Sequence, residues 1–161
     1  MKFLLGLAGV IILVGVQGAL APHLRVFGVT PDLPLAGVLV IGLRAGPTKG
    51  ILWGAVTGAV LDLADGSHLG LFALAAAAAG WIAGEAMLRI DPARVVLCWL
   101  LTTAAAALYG CLVLAGTLVL DHSSVFLPGA ARHALAAAPY DGALATLGYW
   151  LAAWVPRPLR P

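Results

Sequence analysis

The segment from Val95 to Leu120 is an unbroken run without a charged side chain. A helix needs about 20 apolar residues to cross the ~30 Å hydrocarbon core of a bilayer, so this run is long enough to span it with a tilt. The whole chain agrees, since 62% of its residues are hydrophobic and only 10% are charged, against about 25% charged in soluble domains. No polar interval reaches the ~50 residues that a further domain needs. The sequence therefore predicts an integral membrane protein with a single transmembrane domain over residues 1–161.

Apolar runs separated by turn residues predict an all-α protein, a six-helix transmembrane bundle. The predicted helices span approximately residues 3–21, 31–44, 47–63, 69–88, 95–120 and 139–155. The first run also resembles a secretory signal, but it exceeds the 7–15 apolar residues of a signal core, which favours a retained helix. Residues 129–138 are interpreted either as an interfacial helix or as an extension of the last helix.

The polar intervals suggest where helices start and stop. We expect Thr30 to cap the second helix, with Pro31 in its first position and Asp32 in its first turn. Pro47 restarts the chain as the third helix. Gly66 is a helix stop and Ser67 the cap of the fourth helix. The second helix is only about 20 Å long, so it needs protein neighbours, a tilt or local bilayer thinning.

Glycine recurs every fourth residue in the third helix, at Gly46, Gly50, Gly54 and Gly58, and the series ends at Asp62. Residues four apart lie on one helix face, so these glycines form a shallow groove that another helix backbone can approach closely. Each costs roughly 1 kcal/mol relative to alanine within a helix, which indicates a packing role. The neighbour is either another helix of the same chain or the membrane helix of a partner.

Basic residues predict the orientation. Six crossings put both termini on one side of the membrane, and this side carries seven basic residues against two on the other. The seven are Lys2, Arg44, Lys49, Arg89, Arg94, Arg157 and Arg160, and the two are Arg25 and Arg132. The positive-inside rule then predicts cytoplasmic termini.

Acidic residues are the only candidates for chemistry. Asp62, Asp65 and His68 are spaced by three and would present two carboxylates and an imidazole to a metal ion or to an ion bound to pyrophosphate, although a solvated turn is the simpler interpretation. Glu85 lies one turn before Arg89, which favours an interfacial ion pair. No nucleophile with a base, phosphate loop or Cys/His metal spacing is present. We therefore expect neither enzymatic activity nor a bound metal or cofactor.

The order and spacing of several short motifs resemble the rod shape-determining protein MreD family. They cover about residues 31–84: Pro31-Asp32-Leu33, Arg44-Ala-Gly46-Pro47, the Gly50, Gly54, Gly58 and Asp62 series, Gly66-Ser-His-Leu-Gly70, and Gly80-Trp-Ile-Ala-Gly84. The segment that begins at Pro139-Tyr-Asp-Gly is similar to that family as well. The resemblance implies a fold similar to the six-helix substrate-binding subunits of energy-coupling-factor transporters.

The resemblance also implies a place in the cell-elongation machinery of a bacterial inner membrane. Family members are non-enzymatic partners of MreC, whose membrane helix leads into an extracytoplasmic domain. Through MreC they are linked to the glycosyltransferase RodA, its class B penicillin-binding partner and the filament protein MreB. Membrane lipids are expected neighbours, and nucleic acid is not.

Our hypothesis from the sequence is a scaffold in which Gly50, Gly54, Gly58 and Asp62 receive the membrane helix of MreC. An alternative is a small-molecule-binding subunit of a transporter. It requires a cluster of polar groups, whereas Thr57, Thr102, Thr103, Tyr109 and Thr146 are scattered along the sequence. A third hypothesis, a lipid-pyrophosphate enzyme or flippase, would use Asp62 and Asp65.

Overall fold

The computed structural model describes residues 2–20, 29–66, 69–89, 95–121 and 127–154. These residues form six α-helices and no β-strand. The helices are α1 (Lys2–Leu20), α2 (Leu33–Ala45), α3 (Pro47–Asp65), α4 (Leu71–Arg89), α5 (Val95–Asp121) and α6 (Leu127–Ala153).

Two of the described helices are long and apolar enough to cross a membrane, over residues Leu71–Leu88 of α4 and Val95–Leu120 of α5. Gly6–Ala19 and Leu33–Ala45 form shorter apolar helices. The apolar side chains of α4 and α5 are largely unburied within the chain, as Leu74 and Val119 illustrate at 75% and 73% exposure. Such faces are suited to contact with lipid.

The short helix α2 lies at the centre of the fold and contacts all five other helices. Its side chains Leu35, Val38 and Leu39 are almost completely buried. Leu35 and Leu39 form one buried cluster with alanines of α4 and α5, including Ala79 and Ala105. Lipid tails are as apolar as leucine, so this core is held by close van der Waals packing more than by a hydrophobic driving force.

The bundle has two ends of opposite charge. The acidic end, where α1 and α3 stop and α2 and α4 begin, carries Asp32, Asp62 and Asp65, and the basic end carries Arg44 and Lys49. Tight glycine turns reverse the chain at both ends. Gly46 (φ 89°) joins α2 to α3, and Gly66 (φ 70°) ends α3 as expected, in a conformation that favours glycine.

The structure corrects two helix starts. The prediction of Thr30 as N-cap is wrong: Asp32 caps α2, and its Oδ1 accepts from the Leu35 amide at 2.9 Å. The helix α6 begins at Leu127 and not at Pro139, so residues 129–138 extend the last helix. Pro139 lies inside α6, where its carbonyl accepts a hydrogen bond from Trp99 Nε1 at 3.1 Å.

Candidate functional site

The glycine groove of α3 is filled by α4 of the same chain. A Cβ atom added at Gly50, Gly54 or Gly58 would lie closer than 3.0 Å to backbone atoms of α4. All three glycines are buried, and the α3–α4 contact is the most extensive helix pair in the bundle. Of the two neighbours considered for this groove, the structure therefore shows a helix of the same chain. A partner helix in the groove would have to displace α4.

Asp62 ties the end of α3 to the start of α4. Its Oδ1 accepts from the Phe72 amide at 2.9 Å, and its Oδ2 accepts from the amides of Gly70 and Ala73 at 3.0 and 3.1 Å. The carboxylate is 2% exposed. It satisfies amides that would otherwise be orphaned at the α4 N-terminus and meets the positive end of the helix dipole. Asp62 therefore acts as the cap of α4, while Ser67, the predicted cap, lies outside the described residues.

The proposed metal ligands do not form a site within the described residues. Both oxygens of Asp62 are engaged by backbone amides, and Asp65 is exposed. His68 lies outside the described part of the chain. Among the residues that the structure does describe, no three His, Cys, Asp or Glu side chains come together to hold a metal ion.

The other motif residues occupy turns and close helix contacts. At the basic end, Arg44 Nη1 donates to the Ala152 carbonyl and so connects α2 with the end of α6. The expected pair of Glu85 with Arg89 is not tested, because the side chain of Arg89 lies outside the described residues. The remaining motif residues, Gly46, Pro47, Gly66, Gly70, Gly80 and Gly84, lie in the two turns or where α4 meets α3, and a Cβ at Gly84 would lie 2.5 Å from Pro47 Cα.

At the acidic end, side chains from three elements satisfy the first amides of α2. The Asp32 amide donates to Asp141 Oδ1 of α6 at 2.7 Å, and the Leu33 amide donates to Gln17 Oε1 of α1 at 3.1 Å. Gln17 Nε2 in turn donates to the Pro31 carbonyl at 2.7 Å. Pro34 has no amide hydrogen. Since Asp32 caps Leu35, each donor in this first turn has a partner, and α2 starts at a fixed position.

An open cavity of about 470 Å³ lies over this start. It exists because α2 is short, whereas α5 and α6 continue past it. The polar lining comes from Gln17, Thr30, Asp32, Tyr109, Thr117 and Asp141. The rest comes from Pro31 and small or apolar residues of α5 and α6, namely Ala106, Gly110, Val113, Leu114, Ala134 and Ala137.

Two polar clusters were missed by the sequence reasoning, which treated these residues as scattered. In the first, the hydroxyl of Thr102 lies 3.1 Å from the Gly142 carbonyl and 3.3 Å from the hydroxyl of Thr146, which joins α5 to α6. In the second, Tyr109 lies beside Asp32 in the cavity. The available signals were Gln17, the one uncharged polar side chain in α1, and Asp141 within the last helix, because ionisable groups at membrane depth usually have a function.

A model of one protein family, rod shape-determining protein MreD, matches residues 1–138. The chain belongs to the MreD family. The match includes the motif region 31–84 and continues through α5 into α6. It ends before the segment starting at Pro139, so Asp141 lies just beyond it. A comparison with curated proteins and one with solved structures gave no significant match.

Membership of the MreD family confirms the resemblance found in the sequence. It associates the chain with rod shape determination, and the family is a component of shape determination and not a known family of enzymes. Together with the two long apolar helices, it indicates a membrane protein.

Proposed function

We propose that the chain is a non-enzymatic scaffold of the bacterial cell-elongation complex, which docks MreC through the cavity at the acidic end. Through MreC it is linked to RodA, the class B penicillin-binding partner of RodA and MreB, and so to peptidoglycan synthesis. All six helices cross the inner membrane, in a topology similar to that of energy-coupling-factor substrate-binding subunits. The observation that carries the proposal is an open cavity with a polar base in a member of the MreD family.

The position of the cavity supports a docking role. With basic residues on the cytoplasmic side, the acidic end faces the extracytoplasmic space and both termini are cytoplasmic. The segment in which the MreC membrane helix passes into its extracytoplasmic domain then emerges at the level of the cavity. The groove of Gly50, Gly54 and Gly58 is occupied by α4, so the cavity replaces it as the proposed docking site.

The lining also supports recognition of a peptide segment. Apolar walls from Val113, Leu114 and Ala137 surround a few fixed polar groups at the base, the usual composition of a specific binding site. The base is held in place, since Gln17 and Asp141 fix the start of α2 through backbone hydrogen bonds. A preorganised site of this kind loses less entropy on binding than a flexible surface does.

Filling the cavity tests the proposal. Val113 lines the cavity, whereas the adjacent Leu112 is exposed and does not line it. We expect V113W to reduce recovery of MreC with the tagged full-length chain at least tenfold, and L112W to leave it unchanged, with both variants inserted to the same level. Full recovery of MreC with V113W would exclude the cavity as the docking site. Failure of the wild-type chain to recover MreC would refute the scaffold itself.

The cavity also favours one alternative, a small-molecule-binding subunit of a transporter. Its volume lies within the ~300–1,000 Å³ range of ligand sites, and polar groups converge at its base. Native mass spectrometry of the chain purified without MreC separates the two functions. A stoichiometric small molecule that is lost in V113W would support the transporter subunit, and an empty wild-type chain would support the scaffold.

A further inference from the structure

We propose that the base of the cavity binds one cationic side chain of the docked segment, an arginine or a lysine, through Asp141 and Asp32. This inference rests on the proposed docking function and adds the chemistry of the contact. The geometry points to it through two carboxylates at the base of the cavity, one of which has an oxygen that the described residues leave without a partner.

Each carboxylate at the base accepts one backbone amide through its Oδ1. Asp141 Oδ1 accepts from the Asp32 amide, and Asp32 Oδ1 accepts from the Leu35 amide. Among the described residues, Asp141 Oδ2 accepts no hydrogen bond, and Asp32 has the Tyr109 hydroxyl beside it. Asp141 is nevertheless only 4% exposed, and it lines the cavity. A ligand in the cavity therefore meets an oxygen of Asp141 that the bundle itself has not used, next to the carboxylate of Asp32.

Tyr109 adds a third polar group to the base of the cavity. It is 8% exposed and lines the same cavity. Its hydroxyl lies beside the carboxylate of Asp32, to which it can donate a hydrogen bond. The lone pairs of this hydroxyl remain at the base of the cavity beside the two carboxylates. Gln17, by contrast, already uses its amide oxygen and one amide hydrogen on the backbone.

The charge of the base is not compensated by a cation among the described residues. None of the cavity-lining residues is lysine, arginine or histidine. A carboxylate at membrane depth is costly unless it is paired and hydrogen-bonded. A cation that enters between walls formed by Ala106, Val113 and Leu114 displaces water and meets the carboxylates at a low dielectric, where the attraction is strong.

A peptide side chain fits this site better than a lipid headgroup. The ammonium of a zwitterionic lipid is accompanied by a phosphate, which would be brought close to both carboxylates. The alkyl stem of lysine or arginine is apolar and packs on the walls, while its head reaches the polar base. Two carboxylates also match the several N–H donors of a guanidinium.

Removing one negative charge at a time tests the inference. The full-length chain in nanodiscs is titrated with full-length MreC of the same organism. In D141N the asparagine oxygen still accepts from the Asp32 amide, and in D32N asparagine remains a good N-cap. We expect each to weaken MreC binding about 30-fold or more, as for other truncated buried charge pairs, with unchanged unfolding in SDS. D65N, which removes an exposed charge at the same end, should stay within twofold of wild type.

The partner residue is found by replacing each basic residue of MreC near the outer end of its membrane helix with glutamine. One replacement should weaken binding by a similar factor and cause no further loss in combination with D141N. D141N and D32N binding within threefold of wild type would overturn the cationic contact, and docking would still stand if V113W abolished binding. Additive losses with every MreC replacement would also overturn it. So would an effect of D141N that appears only in nanodiscs containing phosphatidylethanolamine, because the cation would then belong to the lipid.

Discussion

Replacing Gly54 with alanine tests whether direct backbone contact holds α3 against α4. The new Cβ would lie 2.7 Å from the carbonyl carbon of Ala76 and 2.8 Å from the Cα of Ala77, whereas an ordinary contact is 3.4–4 Å. These are main-chain atoms and cannot move aside alone. The two helices must therefore separate by roughly 1 Å, which forfeits about a third of the attraction between facing atoms.

The size of the effect follows from this separation. If about 40 atom pairs along the interface each lose a third of ~0.15 kcal/mol, the loss is about 2 kcal/mol. The higher helix propensity of alanine offsets about 1 kcal/mol of this loss in the free energy of unfolding. The matched control is G15A in α1, because a Cβ at Gly15 meets nothing within 4 Å. It has the propensity gain without the clash, so the two variants should differ by about 2 kcal/mol in free energy of unfolding.

The assay is unfolding by SDS in mixed micelles, followed through tryptophan fluorescence. Trp53 lies next to Gly54 and contacts α1 near Gly6, so it reports on the helices around the groove. G54A should unfold at a lower SDS fraction than wild type, and G15A at the same or a higher one. A difference below about 0.5 kcal/mol, the usual size of a surface substitution, would refute the backbone contact between α3 and α4.

Two further predictions concern the caps. D62A should lower the free energy of unfolding by about 2–3 kcal/mol, because it leaves buried amides at the start of α4 without an acceptor. The control is D65A. A loss under about 0.5 kcal/mol for D62A in the SDS assay would contradict the prediction. Q17L should lower the free energy of unfolding by about 1–2 kcal/mol. It should also speed hydrogen exchange at the Leu33 amide, which donates to Gln17 Oε1 in the wild-type chain. Exchange at Leu33 equal to that of wild type would show that Gln17 does not hold the start of α2.

The sequence predicted the helical elements well because they depend on local chemistry. Uncharged runs, the glycine at position 66 and the proline at position 47 set most bounds of α2 to α5 within about two residues. Pro139 predicted the wrong start for the last helix because proline usually starts or breaks a helix. Here α6 passes through it, and the Trp99 side chain of α5 binds its carbonyl.

The candidate site was harder to predict because it joins residues that are far apart in the sequence. The amide of Asp32 and the carboxylate of Asp141 meet only after α2 packs against α6, and Gln17 joins them from α1. Gln17 and Asp141 stand out as polar residues in apolar helices, but the local sequence does not indicate which residues they contact. Periodicity placed glycines 50, 54 and 58 on one face of α3, but it carries no information on which helix fills that face, so both neighbours stayed open until the packing was known.

The buried carboxylates of Asp62, at the start of α4, and Asp141, at the start of α2, differ in how many of their oxygens the backbone uses. Asp62 accepts three backbone amides with both oxygens, so nothing remains for a ligand. Asp141 accepts a hydrogen bond from one amide through one oxygen, and its side chain lines a cavity. Neutralising Asp62 should therefore change the stability of the chain, whereas neutralising Asp141 should change what the chain binds. If D141N lowered stability as much as D62A and left MreC binding intact, the free oxygen of Asp141 would have no role in recognition.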